Sequence, residues 1–153
     1  MSVGPFDIGE VIARLRAEVP ALRAVEGAAE FAAAVAGTVS PPAAFVLLAQ
    51  ERAEPKTGGS ALAIQRIRVT FAVVLAVRNF RRSERGTAQS PDLVSLMRAV
   101  RQALMGWRTT SFDPDETQRA ATSVDLQSGA LVSYDQATVW WQETYSFSYW
   151  SRI

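Results

Sequence analysis

The sequence predicts a single α+β domain: a mixed, mostly antiparallel β-sheet with a long hairpin, flanked by about three α-helices. Three observations predict it. The stretch from Thr138 to Trp150 alternates with a period of two, placing Val139, Trp141, Glu143, Tyr145, Phe147 and Tyr149 on one face. The other face holds Thr138, Gln142, Thr144, Ser146 and Ser148, with Trp140 and Trp150 near its two ends. This is the pattern of a half-buried antiparallel strand. A second long alternation runs through Ile67, Val69, Phe71, Val73, Leu75 and Val77. Three other stretches repeat apolar residues at helical spacing.

Taken in order, Asp7 is placed to cap a first helix, with Glu10 three residues on in capping-box spacing. Ile8, Val11, Ile12, Leu15 and Val19 form its apolar stripe, and Pro20 stops it. Leu22 to Glu26 reads as a short strand. Ala28 to Ala36 reads as an alanine-rich helix around Phe31 and Val35, with Gly37 placed for its C-cap. Ser40, Pro41 and Pro42 form a stiff linker. Phe45 to Glu54, a turn from Pro55 to Ser60 and Leu62 to Phe80 then read as a hairpin that covers a core on one side. At about 3.3 Å per residue its second strand approaches 60 Å, longer than a compact domain of this size buries unaided. Its end is therefore expected to project towards another subunit.

A polar loop, Arg81 to Gln89, leads to a helix opened by Ser90 as N-cap and Pro91 at the first helical position. Leu93, Leu96, Met97, Val100, Leu104 and Trp107 give this helix a face for a sheet, while Arg98 and Arg101 read as surface residues. After a loop from Arg108 to Glu116, three antiparallel strands are expected at Ala121 to Leu126, Ala130 to Tyr134 and Thr138 to Ser151. Ser128-Gly129 and Asp135-Gln136 would be their turns.

Composition narrows the function classes. The chain of 153 residues fits one domain, able to bury about 70% of the surface it exposes unfolded. A net charge of +1 argues against a protein that coats DNA. With no cysteine and no histidine, disulfides, thiolate chemistry, Cys/His zinc sites and Ser/His or Cys/His nucleophile pairs are excluded by inventory. No secretory leader pattern and no uninterrupted apolar run of membrane-spanning length occurs, which reads as a protein kept in a reducing cytoplasm.

Candidate chemistry is sparse: no catalytic, cofactor-binding or metal site is assigned, and no cofactor is expected. Asp113, Asp115 and Glu116 fail the EF-hand frame, because Gln118 and Val124 stand where that loop needs glycine and a bidentate glutamate. They read as a solvated Asp-Pro turn. Gly58, Gly59 and Ser60 fit no phosphate loop, since Lys56 precedes the glycines and no helix follows. The candidate contacts are Arg78, Arg81, Arg82 and Arg85, clustered at the end of the long strand, together with Trp140, Trp150 and Arg152. The arginines suit nucleic-acid phosphate or an acidic neighbouring subunit, against the plainer reading of a loop of solvated charges. The two tryptophans need a cover on a polar strand face, either a helix of the same chain or another subunit.

The residues Pro5-Phe6-Asp7 before the first helix, Phe71 to Leu75, Leu104 to Trp107, Tyr134-Asp135, Trp140-Trp141-Gln142-Glu143, and the closing Phe147, Tyr149 and Arg152 resemble those of tail terminator (tail completion) proteins of bacteriophages and prophages. The resemblance spans almost the whole chain and rests on hydrophobic pattern and aromatic signature. It implies an α+β fold with a mixed or antiparallel sheet, and a structural virion protein rather than an enzyme. It implies a hexameric ring on the head-proximal end of the tail tube that stops tube polymerisation and joins tail to head. The implied partners are other copies of the chain, the tail tube protein, the head-tail connector or neck protein, and genomic DNA passing through the lumen. No membrane is among them. The implied location is the virion neck, after assembly in the cytoplasm of the bacterial host. A small nucleic-acid-binding module using the Arg78 to Arg85 cluster is the alternative.

Overall fold

The computed structural model describes residues 4–37, 39–55, 64–78, 91–112, 120–134 and 137–152. The turn at 56–60, the loop from Arg81 to Gln89, Ser90, the acidic run Asp113, Asp115 and Glu116, and the turn Asp135-Gln136 lie outside the described residues.

The elements follow the order α1 (Gly9–Glu18), β1 (Ala24–Glu26), α2 (Ala28–Val35), β2 (Ala43–Ala53), β3 (Ile64–Arg78), α3 (Pro91–Leu104), β4 (Asp125–Tyr134) and β5 (Thr138–Arg152). One five-stranded sheet runs β1-β2-β3-β5-β4, parallel between β1 and β2 and antiparallel elsewhere. The domain is thus α+β with a mixed, mostly antiparallel sheet. The length of β3 has an internal explanation, because β5 pairs with it from Ile64↔Arg152 to Arg78↔Thr138 without a break.

Alternation along β3 and β5 divides their side chains between two cores. Val69, Phe71, Val73, Leu75 and Val77 meet Tyr145, Phe147 and Tyr149 under α1 and α3, whose Val11, Leu15, Leu93, Leu96, Val100 and Leu104 close the main core. The expectation of a core on one side only is corrected by α2. On the opposite face Ala34 of α2 packs with Ala43, Phe45, Val74 and Ala76, and Phe31 and Trp140 join at the margin. Alanines at 43 and 76 let the helix approach the strands closely, which large side chains would prevent.

Three local expectations are also corrected. Asp7 does not cap α1: Ile8 holds the N-cap position without a side-chain bond, and Asp7 accepts the Gly9 amide at 2.8 Å. Glu10 turns away from the helix end to accept hydrogen bonds from Thr109, at 2.7 Å, and from Ser111. Instead of a strand at Ala121 to Leu126 and another from Ala130, one strand, β4, continues through Ser128 and Gly129, with register shifts at Leu126/Ser128 and Leu131/Ser133. Gly129 is there for space rather than for a turn. A Cβ at this position would lie 2.8 Å from Trp141 Cζ2 and 3.0 Å from Glu143 Oε2, side chains of the neighbouring strand.

The segment before α1 is held against the main core. Phe6 is buried edge-on against Phe147 at 4.8 Å, and its amide donates to Glu51 Oε1 at 2.9 Å. Phe112 stacks on Tyr149 at 4.0 Å. Gly4, at φ +77°, passes so near the Tyr149 hydroxyl that no side chain fits.

Gly129→Ala is expected to destabilise the protein by about 1–3 kcal/mol through overpacking against Trp141. Denaturant unfolding measures this; a neutral substitution would show that β4 can shift away from β5 without loss.

Candidate assembly surfaces

The polar centre of the molecule is Glu143, fully buried on the core face of β5. Four donors converge on its carboxylate. Arg101 of α3 contributes Nε at 2.9 Å and Nη2 at 2.6 Å, a two-pronged ion pair, while Trp141 Nε1 donates at 3.1 Å and the Tyr145 hydroxyl at 3.0 Å. Arg101 is therefore a tether between helix and sheet, where helical spacing alone reads it as a surface residue. Its hydrogen bonds to Glu143 hold the guanidinium above its ordinary pKa despite partial burial. Burial, followed by the Glu143 charge, drives the Tyr145 hydroxyl far above the usual tyrosine range. Tyr149 is pushed up to about 12, first by burial and then by the charge and hydrogen bonding of Glu51. A carboxylate with four donors is fully occupied and holds structure.

Next to this centre the sheet ends in an open edge. Among the described residues β4 pairs with β5 alone, and from Leu126 to Tyr134 it carries no charge. Leu131, Val132 and Tyr134 are 41%, 52% and 59% exposed. Edge strands normally carry lysine, proline or inward charges that discourage pairing with another chain, and here Asp125 at the strand's start and the two register shifts have that effect. A groove along α3, lined by Val94, Met97, Arg98, Arg101, Gln102 and Met105, continues from the Arg101 tether.

Of the candidate contact residues, Trp140 has an intrachain cover, lying 6.1 Å from the rings of both Phe31 and Phe45 under α2. Trp150 occupies the same sheet face beyond the reach of α2, with the Arg66 guanidinium 5.6 Å from its ring centre. The structure thus separates two tryptophans that the alternation places together. Arg78 ends β3 and lines a cavity of about 380 Å³ with Arg23, Pro42, Asp92 and Leu96. Arg152 ends β5, paired with Ile64. Arg81, Arg82 and Arg85 lie outside the described residues. Among the described residues no group of three acidic side chains could hold a metal ion, and no helix is long and apolar enough to cross a membrane.

Arg101→Met leaves the Glu143 carboxylate buried without its cation. The expected loss is about 3 kcal/mol, the low end for buried pairs because Arg101 is itself partly exposed. Adding Glu143→Leu should recover part of the loss, and failure of the double variant to recover any would show that the carboxylate's other bonds dominate. Alkaline pH supplies an independent check. The raised Tyr145 and Tyr149 pKa values stabilise the fold fully below the unfolded tyrosine value near 10. That contribution is lost as pH rises from about 10 through 12, so stability should fall across this window and Tyr149→Phe should flatten the fall. A wild-type curve without the decline, measured by unfolding at successive pH values, would contradict it.

Compared with known families, the chain matches the phage tail terminator protein family over residues 1–153, and it belongs to that family. No curated protein matches it.

Proposed function

We propose that this tail terminator protein caps the head-proximal end of the phage tail tube as a six-membered ring. The ring stops tube growth and presents the surface to which the head joins. The partners in this reading are other copies of the chain, the tail tube protein and the head-tail connector, with genomic DNA passing through the lumen and the assembled protein located at the virion neck. Family membership supports a structural role in the tail. The observation that carries the ring is the open edge of β4, uncharged over nine residues and apolar at Leu131, Val132 and Tyr134. A ring closes through unlike patches brought together by rotation, and an open strand beside a groove is one such patch. In dilute solution the chain is a monomer or weak oligomer that completes its ring only on the tail end.

Val132→Lys with Tyr134→Asp places charge on this edge at exposed positions, where surface substitutions usually cost within about 0.5 kcal/mol each. The wild-type protein added to tails lacking it should give six-fold end rings in electron micrographs and tails of uniform length. The double variant should fold, leave tail ends bare and allow tubes to overrun. Wild-type protein that stays monomeric on tail ends, or binds them with another symmetry, would overturn the ring; normal rings from the variant would remove β4 from the contact.

A further inference from the structure

Beyond the reach of α2, one part of the sheet carries a conflict that nothing in the fold requires. Arg52 of β2 and Arg68 of β3 are direct cross-strand partners, and both are exposed. Like charges at such positions repel across about 5 Å. Arg66, two residues before Arg68, extends the row on the same face. Glu54 lies 3.6 Å from Arg66, while no carboxylate of the described residues pairs with Arg52 or Arg68. Among the described residues Arg68 donates to Ser146 Oγ, at 3.3 Å. Beside the arginines, Thr70 is half-buried and Ser146 and Ser148 are buried, so the guanidinium groups form the accessible part of this face.

From this we infer that the Arg52, Arg66 and Arg68 face binds an extended acidic protein segment, with carboxylates on alternate residues. The inference deepens the tail-end reading and rests on it for where the partner is met. Alternate residues of a strand stand roughly 6.6 Å apart, the separation of Arg66 from Arg68, so successive carboxylates reach successive guanidinium forks. Nucleic acid fits less well. The net charge is only +1, and the Trp150 ring, the one indole near the cluster, already carries the Arg66 guanidinium where a base would stack.

The test uses the full chain and three fluorescent probes: a twelve-residue peptide alternating Glu and Thr, the same peptide with Gln for Glu, and a twelve-nucleotide single-stranded DNA. Fluorescence anisotropy should show the wild type binding the Glu peptide, weakening with salt, and ignoring the Gln peptide. Arg52→Glu with Arg68→Glu should weaken Glu-peptide binding about tenfold or more. Arg52→Glu alone turns a repulsive cross-strand pair into an attractive one. Its Tm should rise by about 1–3 °C while peptide binding weakens, a combination that a merely structural arginine would not give. Absence of Glu-peptide binding by the wild type, tighter binding of the DNA, an unaffected double variant or a lower Tm for Arg52→Glu would each overturn the inference. Failure of the wild type to cap tails would instead count against the tail-end reading. A double variant that caps tails as well as a capping wild type would count against this surface alone.

Discussion

The constraint on which much of this fold depends is the burial of one carboxylate. Glu143 lies on the core face of a strand that is otherwise aromatic and apolar there, and an ion in that position is tolerable only with its lone pairs filled. Filling them binds three parts of the molecule. Arg101 reaches down from α3, Trp141 and Tyr145 turn towards the carboxylate from either side along β5, and Gly129 gives up its side chain so that Trp141 and Glu143 can occupy the space beside β4. Arg101 of this centre also lines the groove of α3, and Gly129 of the edge strand lies against Trp141 and Glu143, so the buried polar centre shares residues with both surface features.

The two faces of the sheet divide the work differently. Under α1 and α3 the face is covered and apolar. On the other side a helix of only eight residues, α2, covers one end, and beyond it the face turns polar, with Ser146 and Ser148 buried and Arg52, Arg66 and Arg68 exposed. The change occurs along single strands: β3 passes from Val74 and Ala76 beneath α2 to Thr70, Arg68 and Arg66 beyond it. One short helix thus sets where the apolar core on this face ends and its polar part begins.

Much of the fold was legible in the sequence because alternation and helical spacing report directly on burial. The faces of β3 and β5, the start of α3 at Pro91 and the short strand β1 follow from such patterns. The parts that were not legible depend on contacts distant in the chain. Ser128-Gly129 has the local chemistry of a turn, whereas its actual requirement is a bare Cα opposite Trp141. Arg101 has a surface position by helical spacing, and only the packing of α3 on the sheet brings it to Glu143. The signal for that site is a lone carboxylate in an aromatic row, which implies a buried partner without naming it. For the candidate contacts, the sequence left open whether a helix or a subunit covers Trp140, and the tertiary packing supplies Phe31 and Phe45. The Arg52/Arg68 juxtaposition is invisible until the hairpin register is known.

The position of β5 also governs how this chain can fold. The strand latest in the sequence is inserted between β3 and β4, and it pairs with β3 over fifteen positions, from Ile64↔Arg152 to Arg78↔Thr138. These are long-range contacts, which form late because the loop between the partners must be closed before any pair can contribute. Until β5 arrives, β3 presents an unpaired edge and its apolar face lacks Tyr145, Phe147 and Tyr149. During synthesis the sheet therefore stays open until this strand has left the ribosome, and for that interval a nascent chain is more exposed to chaperones, proteases and misassociation than a finished subunit.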